Sequence, residues 1–237
     1  TVSWDGLGKL GFFKKTFRSI TVRHGYKSNY RISSYSNNVL YGAEDAPQEV
    51  RAPVVLPVGD TTKVQQGNNF VSYHTVNAVT ISESFSPLIK FDLQFVKTGW
   101  SANVETRRDK TTTLNITAFQ IVETKGQEYI LGLGYMIPKL KFKNVQIQGK
   151  VLESNLILKL DLSYRKNLSI IRNITEGQSV PTGGTNIITL RSSADYQLTQ
   201  NINLRLFYDW IRTKPQTSAS FPTSSATGGF SLRINFQ

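Results

Sequence analysis

The last residues of the chain, Gly229 to Gln237, alternate strictly between apolar and polar side chains. The apolar positions of this stretch are Phe230, Leu232, Ile234 and Phe236. A period of two residues predicts a β-strand with one apolar face. A chain that ends on such a strand, with an aromatic residue at its last apolar position, is typical of bacterial outer-membrane barrels, whose apolar face contacts lipid.

Longer stretches upstream repeat the alternation and separate apolar from charged side chains, most clearly in residues 155–171 and 202–211. We therefore predict that one face of these strands meets lipid and that the other faces an aqueous lumen. The predicted lipid-facing residues are Leu156, Leu158, Leu160, Leu162, Leu204, Leu206, Phe230, Leu232, Ile234 and Phe236. The predicted lumen-facing residues are Lys159, Asp161, Arg191, Asp195, Arg205 and Asp209.

A soluble β-sandwich, whose apolar face would be its core, is an alternative interpretation of the same alternation. Strands in sandwiches are usually about 5 or 6 residues long. The stretches found here are longer, and this length favours the membrane interpretation.

The rest of the chain predicts one helix, one long loop and further strands. Residues 4–17 carry apolar side chains near helical spacing with basic residues between them, which predicts a short amphipathic helix that lies in the headgroup layer or caps an open barrel end. Residues 34–69 lose all regularity and collect proline and glycine, as in a long irregular loop. We predict about nine antiparallel strands in total, including a hairpin that turns at Ser86 and Pro87, and we expect every proline in a turn or loop.

Two segments raise specific expectations. In the strand predicted at 100–118, Arg108 and Lys110 interrupt the apolar face, so this part should project beyond the lipid or the strand should bulge. Residues 139–154 are either a small extra hairpin or an ordered loop.

Composition and charge narrow the function classes. The apolar fraction is 39%, and no run of about 18 apolar residues predicts a transmembrane helix. The formal net charge of +12 suggests an anionic partner, for which nucleic acid, acidic lipid and lipopolysaccharide phosphate are all suitable. The basic residues do not form a recognisable nucleic-acid-binding motif, so we expect no nucleic-acid partner.

The sequence contains few residues that could form a catalytic, phosphate-binding or metal-binding site. The chain has no cysteine, and its two histidines, His24 and His74, do not make a usual zinc site. Gly183 and Gly184 lack the lysine of a phosphate-binding loop. The aspartates among the predicted lumen-facing residues could form a catalytic acid pair, but charge ladders across neighbouring strands explain them without catalysis. We predict no enzymatic activity, no catalytic residues, no metal and no cofactor.

Several stretches together resemble one family of proteins, and the resemblance covers nearly the whole chain. They are residues 6–22, 24–28, 81–89, 129–135, 194–200, 204–209 and the ending from 221 to 233. In combination they are similar to the SprA/Sov family, the giant outer-membrane translocons of the type IX secretion system. Members of that family are far longer, so the resemblance implies that residues 1–237 are the C-terminal part of such a protein.

The resemblance implies an antiparallel transmembrane β-barrel, very wide and formed by a single chain, of which this segment is an arc. It implies localisation in the bacterial outer membrane and a role in protein secretion and gliding motility. The implied partners are outer-membrane lipid and lipopolysaccharide, secreted cargo proteins, accessory secretion subunits and the rest of the barrel. A small independent outer-membrane barrel with a structural or adhesive role is the main alternative, and the anion-binding soluble sandwich is the second.

The predicted strands also give a topology. With the C-terminus in the periplasm, the loops at 176–185 and 213–227 lie outside the cell, and the strand count places the loop at 34–69 in the periplasm. An odd count of about nine strands cannot close into a bacterial barrel, whose strand number is even. Nothing at Thr1 to Ser3 predicts a strand that would pair with Phe230 to Phe236.

Overall fold

A computed structural model of the chain describes residues 1–38, 73–96, 98–147, 150–198, 202–216 and 220–234. These residues form one antiparallel sheet of ten strands, which confirms the predicted all-β antiparallel fold. The strands are β1 (Val2–Trp4), β2 (Phe17–His24), β3 (Tyr26–Asn37), β4 (His74–Phe95), β5 (Trp100–Asn115), β6 (Gln120–Ile147), β7 (Lys150–Asn173), β8 (Ser179–Gln197), β9 (Ile202–Pro215) and β10 (Thr223–Ile234).

The sheet is a meander in which every strand except β2 pairs with the next one along the chain. Its order is β1-β2-β4-β5-β6-β7-β8-β9-β10, and β3 also pairs with β4. Strands β2 and β3 therefore follow one another along the same side of β4, interrupted at Gly25. The amide of Gly25 donates to the carbonyl of Pro87 at 2.8 Å, and its carbonyl accepts from the amide of Ser86 at 3.0 Å.

The hairpin predicted at Ser86 and Pro87 is wrong. Strand β4 runs through both residues without reversing, and its register with β5 shifts between Phe85 and Ile89. Proline has no amide hydrogen for the ladder, so this strand bulges locally where the sequence suggests a turn. One long strand thus replaces two short ones, and this reverses the direction assigned to every strand before it.

Two other prolines in the described residues also lie inside strands, against the expectation that all prolines lie in turns or loops. Pro138 lies inside β6, and Pro181 lies inside β8. The β6–β7 register shifts between Ile137 and Leu140, and the β7–β8 register shifts opposite Pro181, between Ser169 and Ile170. Each interior proline therefore marks a bulge within a continuous strand.

The N-terminal segment is less helical than predicted. Residues 4–17 contain a 3₁₀ turn at Gly6–Lys9 and a single α-helical turn at Gly11–Lys14. Strand β1 precedes them and pairs with β2, so Thr1 to Ser3 does contribute to a strand, although its partner is β2 and not β10.

The predicted loops are shorter than the sequence suggested. Strand β3 includes residues 34–37 of the predicted loop at 34–69, whose residues from 39 onward lie outside the described residues. Strand β8 begins at Ser179, and β9 and β10 extend into the predicted loop at 213–227. The described residues of 139–154 extend strands β6 and β7 instead of forming a separate element.

The connections that reverse the direction of the chain leave the sheet at one of its two ends. We call the end with the turn at 116–119 the loop end, since the segments between β3 and β4, β7 and β8, and β9 and β10 also leave from it. At this end the amide of Asn38 donates to the carbonyl of Tyr73 at 2.9 Å. The opposite end, which we call the turn end, carries the shorter connections from β4 to β5, β6 to β7 and β8 to β9.

The described residues form a single layer, and no second sheet packs on either face. Their buried apolar residues are Ile20 and Tyr196, at 4% and 6% exposure. This arrangement lacks the two facing sheets of the sandwich alternative. No helix in the described residues is long and apolar enough to cross a membrane.

The edge strands at the two ends of the strand order do not pair with each other in the described residues. Strand β10 pairs with β9 alone, and β3 pairs with β4 alone. The sheet is therefore open at both edges.

Candidate functional surfaces

Residues paired across neighbouring strands share a face of the sheet, so the register divides the side chains into two faces. One face, which we call the band face, carries an apolar zone across the middle of the long strands. Leu160, for example, pairs with Leu133 on β6 and with Ser192 on β8. The predicted lipid-facing residues that lie on this face are Leu156, Leu158, Leu160, Leu162, Leu204, Leu206, Phe230, Leu232 and Ile234. Phe236 lies outside the described residues.

Aromatic side chains line both margins of this apolar zone, which we call the apolar band. The row at the turn end consists of Phe17, Phe95, Trp100, Tyr135 and Tyr196, and the row at the loop end consists of Tyr26, Phe85, Tyr129, Tyr164, Tyr208 and Trp210. Ring centroids are 4.8 Å apart for Phe17 and Phe95 and 4.6 Å apart for Trp100 and Tyr135. Between the two rows, the band face of β4 to β10 carries no Asp, Glu, Lys or Arg among its described residues.

The band is exposed and about as tall as a membrane requires. Leu160 and Leu162, near its middle, have relative exposures of 40% and 42%. The rows are separated along β6 and β7 by six to eight residues, or about 20 to 26 Å at about 3.3 Å per residue. Apolar bands of outer-membrane barrels are about 25 Å tall and have aromatic girdles at both margins.

The six predicted lumen-facing residues lie together on the opposite face, which we call the ladder face. Asp161 pairs in register with Arg191, which pairs in turn with Asp209 on β9. Asp195 forms an ion pair with Arg205 at 3.6 Å. A groove of about 650 Å³ runs along this part of the face, and its lining includes Lys159, Asp161, Arg191, Arg205 and Asp209.

A larger ion-pair network, which the sequence pattern did not predict, lies on the ladder face. Eight residues of alternating charge connect β2, β4, β5, β6 and β7 in the order Arg23, Asp92, Lys90, Glu105, Arg107, Glu128, Arg165 and Asp109. The longest of these contacts is 3.7 Å, between Arg107 and Glu128. Glu105, near the centre, is only 5% exposed, forms an ion pair with Lys90 and accepts a hydrogen bond from Arg107. The network carries no net charge.

Glycines in β6 make room for polar side chains of the ladder face. The missing side chain of Gly126 would collide with the carboxylate of Asp109, and that of Gly132 would collide with Asn103 and Asp161. Gly132 therefore leaves room for polar side chains from both neighbouring strands.

A second ionic cluster lies on the band face, beyond the tyrosines of the loop-end row on β6 and β7, Tyr129 and Tyr164. Glu123 is six residues past Tyr129 on β6 and is 7% exposed. It forms ion pairs with Lys110 at 3.0 Å, Lys125 at 3.2 Å and Arg172 at 3.5 Å. The hydrogen bond from Lys110 holds the pKa of Glu123 below its usual range, against the opposing effect of burial. We call Arg108, Lys110, Lys125, Lys166 and Arg172 the basic cluster, since all five lie on the band face here.

The basic cluster explains the charges that interrupt the predicted apolar face of β5. Arg108 and Lys110 pair with Gln127 and Lys125 in an unbroken β5–β6 register, so β5 does not bulge. Both residues instead lie past Tyr129, outside the apolar band. The expected bulge is therefore wrong, and projection of this part beyond the lipid stays a prediction.

Sequence reasoning could have found parts of these networks. Acids and bases two residues apart share a face of a strand, as Glu105, Arg107 and Asp109 do. The partners on other strands depend on register, which no single strand reveals.

The described residues hold no group of three or more His, Cys, Asp or Glu side chains arranged to bind a metal ion. No family model matches the chain, and no curated protein sequence is significantly similar to it.

Proposed function

We propose that this sheet is an arc in the wall of a large outer-membrane β-barrel that conducts proteins across the membrane, as the resemblance to the type IX translocons implies. The band face contacts lipid, and the ladder face lines the water-filled interior. The rest of the barrel wall pairs with the two open edges of the sheet. Without such partners, the unpaired amides and carbonyls at those edges would each cost several kcal/mol in lipid.

The observation that carries the proposal is the apolar band, uncharged on β4 to β10 and bounded by aromatic rows, on an uncovered single-layer sheet. A soluble protein rarely exposes an apolar patch larger than about 300 to 600 Å². Lipid accounts for the exposure of Leu160, for the aromatic margins and for the height of the band together.

The ladder face fits an aqueous interior. Its ion pairs alternate in sign across five strands, so it presents fixed charge to water without a strong net field. Such a surface would let proteins of varied composition pass without binding any of them tightly. No catalytic group is required for this function.

The connections between strands support one orientation. Outer-membrane barrels have short periplasmic turns and longer extracellular loops. This rule puts the turn end in the periplasm and the loop end outside. The segment between Asn37 and His74 then leaves and re-enters on the outside, which reverses the predicted periplasmic side, because β4 is one strand.

Site-specific photo-crosslinking tests the proposal directly. A photoreactive amino acid at Arg191, on the ladder face, should capture proteins in transit when secretion is active. The same group at Leu190, on the band face, should capture lipid. Equal protein capture at both positions, or capture at Arg191 that does not depend on secretion, would contradict a channel role.

A further inference from the structure

We propose that the basic cluster binds the phosphate groups of lipid A in the outer leaflet, while the acyl chains of that lipid lie on the apolar band below. This inference rests on the proposed membrane orientation. Its basis is the position of the cations relative to the aromatic row at the loop end.

The register gives that position in residues. The row of Tyr129 and Tyr164 is followed on the band face by the row of Arg108, Gln127 and Lys166. The next row contains Lys110 and Lys125. Two residues along a strand advance about 7 Å, so these four cations begin within about 7 Å of the tyrosines and end within about 13 Å. Tyrosine lies at headgroup level, so the cations lie where lipid phosphates are found.

The cluster carries more positive charge than its own acids neutralise. Its five cations face two carboxylates on this face, those of Glu123 and Glu83. Glu123 is surrounded by three cations, and the hydroxyl of Tyr26 also donates to Glu83 at 3.2 Å. Arg108 and Lys166 are exposed and form no ion pair with another described residue, so their donors are available to an anion.

The opposite face of the same strands loses its charges past Asp109. From there on, the ladder face of β5 to β7 carries no charged side chain among the described residues, and it has hydroxyl pairs such as Thr124 with Ser169 at 3.1 Å. A rim that was only solvated would place charge on both faces. Past Asp109, the cations Lys110, Lys125 and Arg172 lie only on the face that carries the apolar band.

Lipid A is the occupant whose chemistry matches both parts of this surface. Lysine and arginine form charge-assisted hydrogen bonds to phosphate. The apolar side chains of Leu131 and Leu162 lie immediately below the tyrosines on the same face and are exposed. A phosphorylated amphiphile of the outer leaflet can contact both regions at once, whereas a free phosphate ion would contact the cations alone.

The test uses the protein as cells assemble it, purified in mild detergent, with bisphosphorylated lipid A as the probe. The variant Arg108→Gln with Lys166→Gln removes two cations that make no described ion pair. Because the variant loses two charge-assisted hydrogen bonds to phosphate, its affinity for lipid A should fall at least about tenfold. The matched control, Lys159→Gln with Arg191→Gln, removes one lysine and one arginine from the ladder face and should bind within about twofold of the unmodified protein.

Two further measurements show whether the bound phosphate belongs to lipid A, and whether this inference can fail while the proposed membrane orientation holds. Enzymatically dephosphorylated lipid A should bind as weakly as the Arg108 and Lys166 variant, and millimolar inorganic phosphate should not displace lipid A. Equal losses in the two double variants, or undiminished binding of dephosphorylated lipid A, would overturn the inference. A cysteine in place of Leu162 should resist a membrane-impermeant maleimide in intact membranes. If it resists while lipid A binding fails, only this inference falls; if it reacts, the proposed membrane orientation falls with it.

Discussion

The change from Leu160 to arginine separates a lipid-facing sheet from one that faces water. Leu160 lies four residues from Tyr164 on β7, near the middle of the apolar band, and its neighbours along the same face of the strand are Leu158 and Leu162. An arginine there would put its charge near the midplane of the membrane. The expected cost is about 2 to 4 kcal/mol, as for arginine at the midplane of other barrels.

The same change would cost little stability if residue 160 faced water. Leu160 is 40% exposed, and surface substitutions away from special features usually alter the free energy of unfolding by about 0.5 kcal/mol or less. The expected loss in the free energy of unfolding is therefore several-fold larger if Leu160 faces lipid than if it faces water. Lys159→Ala is the control, because it changes the adjacent residue on the ladder face and should cost little.

The measurement is the urea concentration at which the assembled, heat-modifiable protein is lost from isolated outer membranes. Leu160→Arg should lower this midpoint markedly, and Lys159→Ala should leave it almost unchanged. A larger loss for Lys159→Ala would mean that the two faces are exchanged, since a shift of one residue moves every side chain to the other face. Equal, small losses would refute the lipid contact.

Further predictions use the same urea midpoint or a simple biochemical comparison. Gly126→Ala should destabilise the protein by about 1 to 3 kcal/mol, since its new methyl group would meet Asp109, whereas Gly183→Ala, whose nearest neighbour is 4.0 Å away, should not. Glu105→Gln should cost about 1 to 3 kcal/mol by leaving two cations without their carboxylate, and a neutral effect would show that the ladder adds no stability. Because the pKa of Glu123 is lowered, its ion pairs should stabilise the protein above the ordinary glutamate pKa of about 4.3 and lose that effect as pH falls through the lowered value. The difference between the unmodified protein and Glu123→Gln should therefore shrink in acid, and a difference that grew instead would contradict the assignment. Residues 1–237 refolded alone should aggregate or stay protease-sensitive, because both sheet edges are open; a monodisperse, protease-resistant monomer would favour a small independent barrel.

Alternation in the sequence was sufficient to predict the antiparallel β fold and to place Leu160 and Lys159 on opposite faces. A period of two fixes the relation between neighbouring side chains without any knowledge of pairing. The same reasoning misread Pro87, because a proline in a strand and a proline in a turn have the same local signature. The resulting error reversed the side assigned to residues 34–69, since one missing or extra reversal changes the direction of every strand before it.

The partners that join different strands in the ion-pair network and in the basic cluster could not be predicted, for a different reason. Glu105 and Glu128 are joined by Arg107, but Glu128 belongs to another strand, and only the register brings it within reach. Long strands such as β6, with 28 residues, also extend well past the apolar band. Charges like Arg108 then appear to break an apolar face that in fact ends two residues earlier.

Labelling of single cysteines at Leu158, Lys159, Leu160, Asp161 and Leu162 tests the central claim most directly. The chain contains no cysteine, so each substitution gives one reporter without further changes. Each variant would be treated in intact membranes with a membrane-impermeant maleimide and, separately, with a lipid-soluble one. We predict strong reaction with the impermeant reagent at 159 and 161 and protection at 158, 160 and 162, with the lipid-soluble reagent reaching all five. Uniform reaction with the impermeant reagent, without a period of two, would contradict the assignment of one face to lipid and the other to a water-filled channel.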